Sequence, residues 1–193
     1  MGLRILIADD EAVVRMDLRE MLEESGYKVV GEAGDGERAV ELGEERKPDL
    51  AILDIKMPKM NGLEVAEKLM ERGIATLVLT AYTDREFIDR AKETGVLAYL
   101  VKPFSKESLI AAIEMAMARF RELQELRKEV SSLREALEVR KLVERAKGLL
   151  MKHLGISEED AYRYLQRQSM EYRKPMKEVA EAVIIALEIK EEG

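Results

Sequence analysis

The chain of 193 residues has no cysteine and no tryptophan, a single histidine, and no apolar run long enough to span a bilayer. Each absence removes a class of function. Without cysteine there are no disulfides, no thiol nucleophile and no cysteine-based zinc site, which fits a reducing cytoplasm. The lone histidine, His153, falls near the end of a helical run, where it complements the helix dipole rather than doing chemistry. Met1-Gly2-Leu3-Arg4 leads straight into a strand pattern, so no signal peptide is expected and no membrane partner either.

What is present is ample for a core: 47% of residues are hydrophobic, in a length that suits one large domain or two small ones. The 37% of charged residues, with no Cys and no Trp, would suit a thermophile. Charge is unevenly placed. Residues 140–193 carry 11 Lys and Arg against 10 Asp and Glu, whereas residues 1–139 carry 21 against 29. Within 140–177 basic residues outnumber acidic ones 10 to 5, so the two halves imply different partners.

Five short apolar runs alternate with helical patterns over the first hundred residues. Arg4–Ala8, Val29–Ala33, Leu50–Asp54, Ala75–Thr80 and Val96–Val101 read as strands. Helices are predicted over 12–24, 36–46, 62–72 and 84–94, the last closed by Gly95. That alternation predicts a parallel α/β sheet wrapped by helices on both faces. The ends of the strands carry the chemistry: Asp9 and Asp10 after the first, Asp54 after the third, Thr80 after the fourth, Lys102-Pro103 after the fifth. In a parallel sheet all of these converge at one edge, where ligand sites of open α/β sheets lie. Three carboxylates, a hydroxyl and an ammonium there suit Mg²⁺ and a phosphoryl group. Asp54 is the candidate nucleophile, forming an aspartyl phosphate. Thr80 would hydrogen-bond one phosphoryl oxygen and Lys102 neutralise another.

With the pair Asp9/Asp10, the acceptor Asp54, Thr80, Tyr99 and Lys102-Pro103, residues 1–120 resemble a response-regulator receiver domain. The resemblance implies a flavodoxin-like fold with strand order 2-1-3-4-5. It implies phosphate from a partner histidine kinase, and Mg²⁺ held by Asp9, Asp10, Asp54 and the carbonyl of Lys56. It implies a cis Lys102-Pro103 peptide, and a switch in which phosphate draws Thr80 inward and lets Tyr99 rotate. In that family the positions of Lys56 and Tyr82 tune phosphate lifetime.

From Ser105 to about Leu154 there is no proline and only Gly148 as glycine, so one long helix is expected. Leu109, Ile113, Met117 and Phe120 form a stripe for the sheet. Leu123, Leu126, Val130, Leu133 and Leu137 continue at steps of three and four, the a/d positions of a coiled coil over 121–139. A parallel homodimer seam or an intramolecular helix pair would both satisfy them. Residues 140–193 read as a three-helix module. Gly155 stops its first helix, and Ser157 caps the second, with Ala161, Tyr162, Leu165 and Met170 inward. Pro175 opens the third.

Ala146-Lys147-Gly148-Leu149-Leu150-Met151, Ala161-Tyr162, Leu165-Gln166-Arg167, Ser169-Met170 and Val179-Ala180 resemble the ANTAR domain of antitermination regulators. That implies binding to tandem RNA stem-loops in a leader transcript, so that a terminator hairpin cannot form. Lys147, Arg163, Arg167, Arg173 and Lys174 are candidates for phosphate contacts, and Tyr162 either stacks on a looped-out base or belongs to the core. Gly148 inside a helix costs about 1 kcal/mol relative to alanine. Close approach of a neighbouring helix, or of RNA backbone, would each account for it. The expectation is therefore a cytoplasmic, non-enzymatic regulator that dimerises on phosphorylation, with 1–120 as receiver, 121–139 as connector and 140–193 as output. The rival readings are a helical tail that docks a protein or DNA, and, more weakly, an aspartate-based phosphatase. The apolar stripe and mixed charge of 175–190 disfavour a DNA-recognition helix.

Overall fold

A computed structural model describes residues 2–81 and 97–188. The helix expected over 84–94, its closing Gly95 and the lifetime position Tyr82 lie outside the described residues. The elements are β1 (Arg4–Ala8), α1 (Ala12–Glu24), β2 (Lys28–Ala33), α2 (Gly36–Arg46), β3 (Leu50–Asp54), α3 (Gly62–Glu71), β4 (Ala75–Ala81), β5 (Ala98–Lys102), α4 (Lys106–Leu154), α5 (Glu158–Tyr172) and α6 (Met176–Glu188). Residues 1–124 and 125–193 form two separately packed units, and α4 contributes its first part to one and the remainder to the other. No helix among the described residues is long and apolar enough to cross a membrane.

In the first unit the five strands pair in parallel in the order β2-β1-β3-β4-β5, which is the expected flavodoxin-like order. All five residues of β3 are buried because it lies between β1 and β4 with both faces covered. Side chains alternate between the faces. Leu6, Ala51, Leu53 and Val78 join α2 and α3 in one core. Ile5, Ile7, Ile52, Leu77 and Leu79 join Leu18 and Leu22 of α1 and Leu109, Ile113 and Ala116 of α4 in the other. Burying a Val, Leu or Ile side chain is worth about 1.5–3 kcal/mol, so the eight such residues named on the central strands fix the register. That register sets Ala8 beside both Leu53 and Ala33, Asp54 beside Leu79, and Ala81 beside Lys102. The functional strand ends are thereby brought to one edge.

Caps hold the loops at that edge. Asp35 accepts the Arg38 amide at 2.9 Å to start α2, and Asn61 accepts those of Leu63 and Glu64 at 3.0 Å to start α3. The Lys102-Pro103 peptide is cis, as the resemblance implied.

The second unit packs Val143, Ala146 and Leu150 of α4 against Ala161 and Leu165 of α5 and Val179, Ala180 and Ile184 of α6. Ser157 caps α5, accepting the Asp160 amide at 3.1 Å. Arg173 leaves the helix in the left-handed region, and the Ser169 hydroxyl donates to the Lys174 carbonyl at 2.6 Å to close the turn. Two expectations of inward packing fail here. Met170 is 70% exposed and Tyr162 46% exposed, because Ala161 and Leu165 take the inward face of α5 and turn their neighbours outward. The α4 stripe also divides. Leu123 packs on the first unit's core, whereas Leu126, Val130, Leu133 and Leu137 are exposed.

Candidate functional site

The sheet edge carries a cavity of about 270 Å³ lined by Asp10, Glu11, Asp54, Lys56, Thr80 and Lys102, among others. At its floor the Lys102 ammonium donates to Asp9 Oδ2 and to Asp54 Oδ1, at 2.6 Å each. The second oxygen of each carboxylate is taken by backbone: Glu11 N–H donates to Asp9 Oδ1 at 2.9 Å, and Lys56 N–H to Asp54 Oδ2 at 2.7 Å. Asp9 is fully buried and Asp54 nearly so, whereas Asp10 stands exposed at the rim. The Thr80 hydroxyl is buried and donates to the Ala81 carbonyl at 3.2 Å.

One ammonium serves two carboxylates. Burial pushes the Asp54 carboxyl above the ordinary aspartate value, and the Asp9 charge adds to it. The Lys102 hydrogen bond and the Lys56 amide pull the other way without cancelling. For Lys102 burial works downward, but hydrogen bonds to Asp54 and Asp9 outweigh it, so its pKa sits above the usual lysine value. The cation is shared between two carboxylates, so it offsets the burial of Asp54 only in part. Around the cavity Asp9, Asp10, Glu11 and Asp54 face Lys102 and Lys56, a surplus of negative charge that attracts a further cation.

The donor set is made of hard oxygens, which suits Mg²⁺. Among the described residues no three carboxylates or imidazoles close into a ready-made cage. Mg²⁺ does not require one, since it keeps several waters and takes one or two carboxylates beside a phosphate.

The loop over Asp54 depends on a close approach. A Cβ on Gly62 would lie 1.9 Å from the Asp54 carbonyl oxygen, so only glycine lets 55–62 fold back far enough for the Gly62 amide to reach the Ile55 carbonyl at 2.9 Å. The loop is pinned farther out by Lys59, whose ammonium donates to Asp35 at 3.0 Å.

The structure brings Asp9, Asp10, Asp54, Lys56, Thr80 and Lys102 together. Tyr99 stands apart: it is 51% exposed, pairs with Val78 and does not line the cavity. Sequence reasoning missed Arg15. Its guanidinium donates to the backbone carbonyls of Asp9 at 2.6 Å and Asp10 at 3.3 Å, and it is braced by Glu32 at 3.7 Å. The signal available was Arg15 one helical turn after Glu11, which does not by itself reveal a backbone acceptor. Glu11 on the rim was visible only as a third acid after Asp9 and Asp10.

In the second unit Gly148, Tyr162, Arg163, Arg167, Arg173 and Lys174 are all exposed. Arg163 is engaged by Glu159 and Lys174 by Glu178, exposed pairs of the kind that exchange readily. Lys147 differs. Its side chain is 9% exposed and its ammonium is held by Glu158 at 2.7 Å and Glu144 at 2.9 Å, which raises its pKa and ties α4 to the start of α5. It reaches a phosphate only by giving up both carboxylates.

Residues 5–114 match the response regulator receiver domain family, and residues 131–184 match the ANTAR domain family. The chain is 55% identical over 185 residues to the transcriptional regulatory protein PdtaR of Mycobacterium tuberculosis, covering 95% of this chain and 90% of that protein. It is 36% identical over 115 residues to the chemotaxis protein CheY of Thermotoga maritima, which covers 58% of this chain and 96% of CheY. The solved signal receiver domain of a modulated diguanylate cyclase from Desulfovibrio desulfuricans superposes with a TM-score of 0.59 at 32% identity, over 63% of this chain and 98% of that one. Neither matched family is an enzyme family. A receiver at the front, an ANTAR module at the back and a relative sharing both over nearly the whole length place this chain in the two-component response regulators with an ANTAR, RNA-binding output.

Proposed function

We propose that Asp54 accepts a phosphoryl group from a sensor histidine kinase and that this controls RNA binding by the C-terminal module, promoting transcription antitermination in the cytoplasm. The observation that carries the reading is the shared ammonium of Lys102 on Asp9 and Asp54 at the floor of an open acidic cavity. Asp54 is buried enough to be poorly satisfied as an anion and open enough to meet a donor. The ionised Asp54 oxygen attacks phosphorus while the phosphorus–nitrogen bond of the kinase's phosphohistidine breaks, and the imidazole leaves as the neutral ring with a proton taken from solvent.

Asp9, Asp10, Asp54 and the Lys56 carbonyl would hold Mg²⁺. When bound, the ion supplies positive charge that offsets the anionic oxygens in transfer. Once Asp54 carries the phosphoryl group as an acyl phosphate, Lys102 exchanges its bond to the carboxylate for one to a phosphoryl oxygen, and Thr80 turns its hydroxyl from the Ala81 carbonyl towards another. Tyr99, exposed on β5, is the group whose rotation would report the change. Arg15 keeps the acidic loop in place during the exchange.

The working division is 1–120 as receiver, 121–139 as connector and 140–193 as output. Leu126, Val130, Leu133 and Leu137, exposed on the connector, offer a seam for a parallel homodimer. A dimer presents two output modules to two stem-loops, which raises effective concentration without new contacts. Lys147, Gly148, Tyr162, Arg163, Arg167, Arg173 and Lys174 are the candidate RNA residues. Of these, Lys147 contributes through the fold of the module, and the exposed arginines through phosphate contacts.

The test is an electrophoretic shift with tandem-hairpin RNA, with and without beryllofluoride and Mg²⁺. Binding should tighten with beryllofluoride in the natural chain and stay at the basal level in Asp54→Ala. A response in Asp54→Ala equal to that of the natural chain contradicts the reading.

A further inference from the structure

We propose that the start of α2 is a positioning clamp for the Mg²⁺-binding loop, in which Gly36 and the Asp35–Lys59 ion pair hold residues 55–62 so that the Lys56 carbonyl stays presented to the cation. The inference rests on the Mg²⁺-dependent phosphorylation of Asp54 proposed above. Asp54 is the last residue of β3, and Asp9 and Asp10 follow β1 directly, so the paired strands fix these three donors. The Lys56 carbonyl lies two residues past the sheet, on a loop, and its direction depends on what holds that loop.

The Gly36 N–H donates to the Pro58 carbonyl at 3.3 Å, and the same carbonyl accepts the Met60 N–H at 2.8 Å. A Cβ on Gly36 would lie 2.1 Å from the Met60 carbonyl oxygen, so the helix start rests directly on loop backbone. An ordinary carbon–oxygen contact is roughly 3.3 Å or longer, so any other residue at 36 forces helix and loop apart. Beside this contact the Lys59 ammonium donates to Asp35 at 3.0 Å. Asp35 also caps α2, accepting the Arg38 amide at 2.9 Å. The Arg38 amide and the Lys59 ammonium hold its carboxyl below the ordinary aspartate value, so it is an anion at neutral pH. One side chain therefore ties the helix start to the loop. Lys59 itself has a φ of 65°, a left-handed state that lysine rarely adopts and keeps only where its surroundings hold it. On the inner side Met57 is buried and Met60 packs against the same core, so Pro58 and Lys59 are gripped between that core and α2. A loop held in this way has no ordering cost left to meet when a cation binds.

The test titrates the full chain with Mg²⁺ alone by calorimetry, and follows phosphorylation by acetyl phosphate against Mg²⁺ concentration. Asp35→Asn keeps the helix cap, since asparagine caps as well as aspartate, but loses the charge. Lys59→Gln loses the partner. Each should weaken Mg²⁺ binding about 1.5- to 5-fold, the worth of an exposed ion pair. The double variant should be no weaker than either single one, because the two side chains act as a unit. At saturating Mg²⁺ all three should be phosphorylated at the natural rate, and Lys59→Arg, which keeps the pair, should bind Mg²⁺ like the natural chain. Gly36→Ala should weaken Mg²⁺ binding roughly 10- to 100-fold, as a loop displaced by about 1 Å would. Thermal unfolding shows whether Gly36→Ala folds, and the charge variants decide the matter if it does not. Long-range charge alone predicts opposite signs, weaker Mg²⁺ binding in Asp35→Asn and tighter in Lys59→Gln. Opposite shifts, unchanged affinity in both, or additive weakening in the double variant each overturn the clamp while the phosphorylation reading stands. Failure of the natural chain to bind Mg²⁺ overturns both.

Discussion

Lys102 places one ammonium 2.6 Å from each of two carboxylates, and that arithmetic sets the behaviour of Asp54. Because burial holds its pKa above 3.8 in the folded chain, the native state binds a proton more readily than the unfolded one. Ionised Asp54 therefore costs stability at neutral pH. The cost disappears as pH falls through the raised value towards 3.8. Asp54→Asn should accordingly be more stable than the natural chain by about 1 kcal/mol at pH 7. The difference should close in acid, as urea unfolding at both pH values will check. A variant less stable at pH 7 would mean that the ion pair outweighs burial. At this scale Asp9, Asp54, Thr80 and Lys102 were legible because each follows an apolar run directly, and parallel strands bring their ends together. Arg15 and Lys147 were not. Arg15 acts on backbone carbonyls, and Lys147 looks in the sequence like any surface cation until α5 folds its Glu158 against it.

Among the elements, α4 carries the least resolved signal in the sequence. Its apolar stripe was readable from spacing, but the point where Leu123 turns to the receiver core and Leu126 to solvent depends on where the sheet ends. Gly148 was readable as an anomaly with two explanations. The structure removes the one within the chain: a Cβ there would meet nothing within 4 Å among the described residues, and the position is exposed. Close approach by an external surface remains, and RNA backbone fits the proposed output. Gly148→Ala should raise the stability of the second unit by up to about 1 kcal/mol, while weakening hairpin binding through a methyl group at the contact. Thermal unfolding and hairpin titration on the same preparation will separate the two effects. A more stable variant with unchanged RNA affinity would show that the glycine serves no RNA contact. Met170 illustrates the opposite failure. Helical spacing marked it as inward, yet the packing of Ala161 and Leu165 leaves it outside.

For the whole molecule, the division of charge matches the division of labour. An acidic front supplies a cation-attracting sheet edge, and the basic stretch 140–177 supplies surface for a polyanion. Fold class and strand order followed from alternating apolar runs. The chemistry of the back half did not follow from spacing, because three short amphipathic helices serve many purposes. It rests on the motif around Gly148 and on the matched ANTAR family. In the proposed scheme RNA binding is controlled by phosphorylation of Asp54. The most direct measurement is the intact mass of the chain after incubation with acetyl phosphate and Mg²⁺, followed by borohydride reduction and peptide mapping. One phosphoryl group is expected, located on Asp54 and abolished in Asp54→Asn. Uptake at another residue that persists in Asp54→Asn, or no uptake by the natural chain, would contradict it.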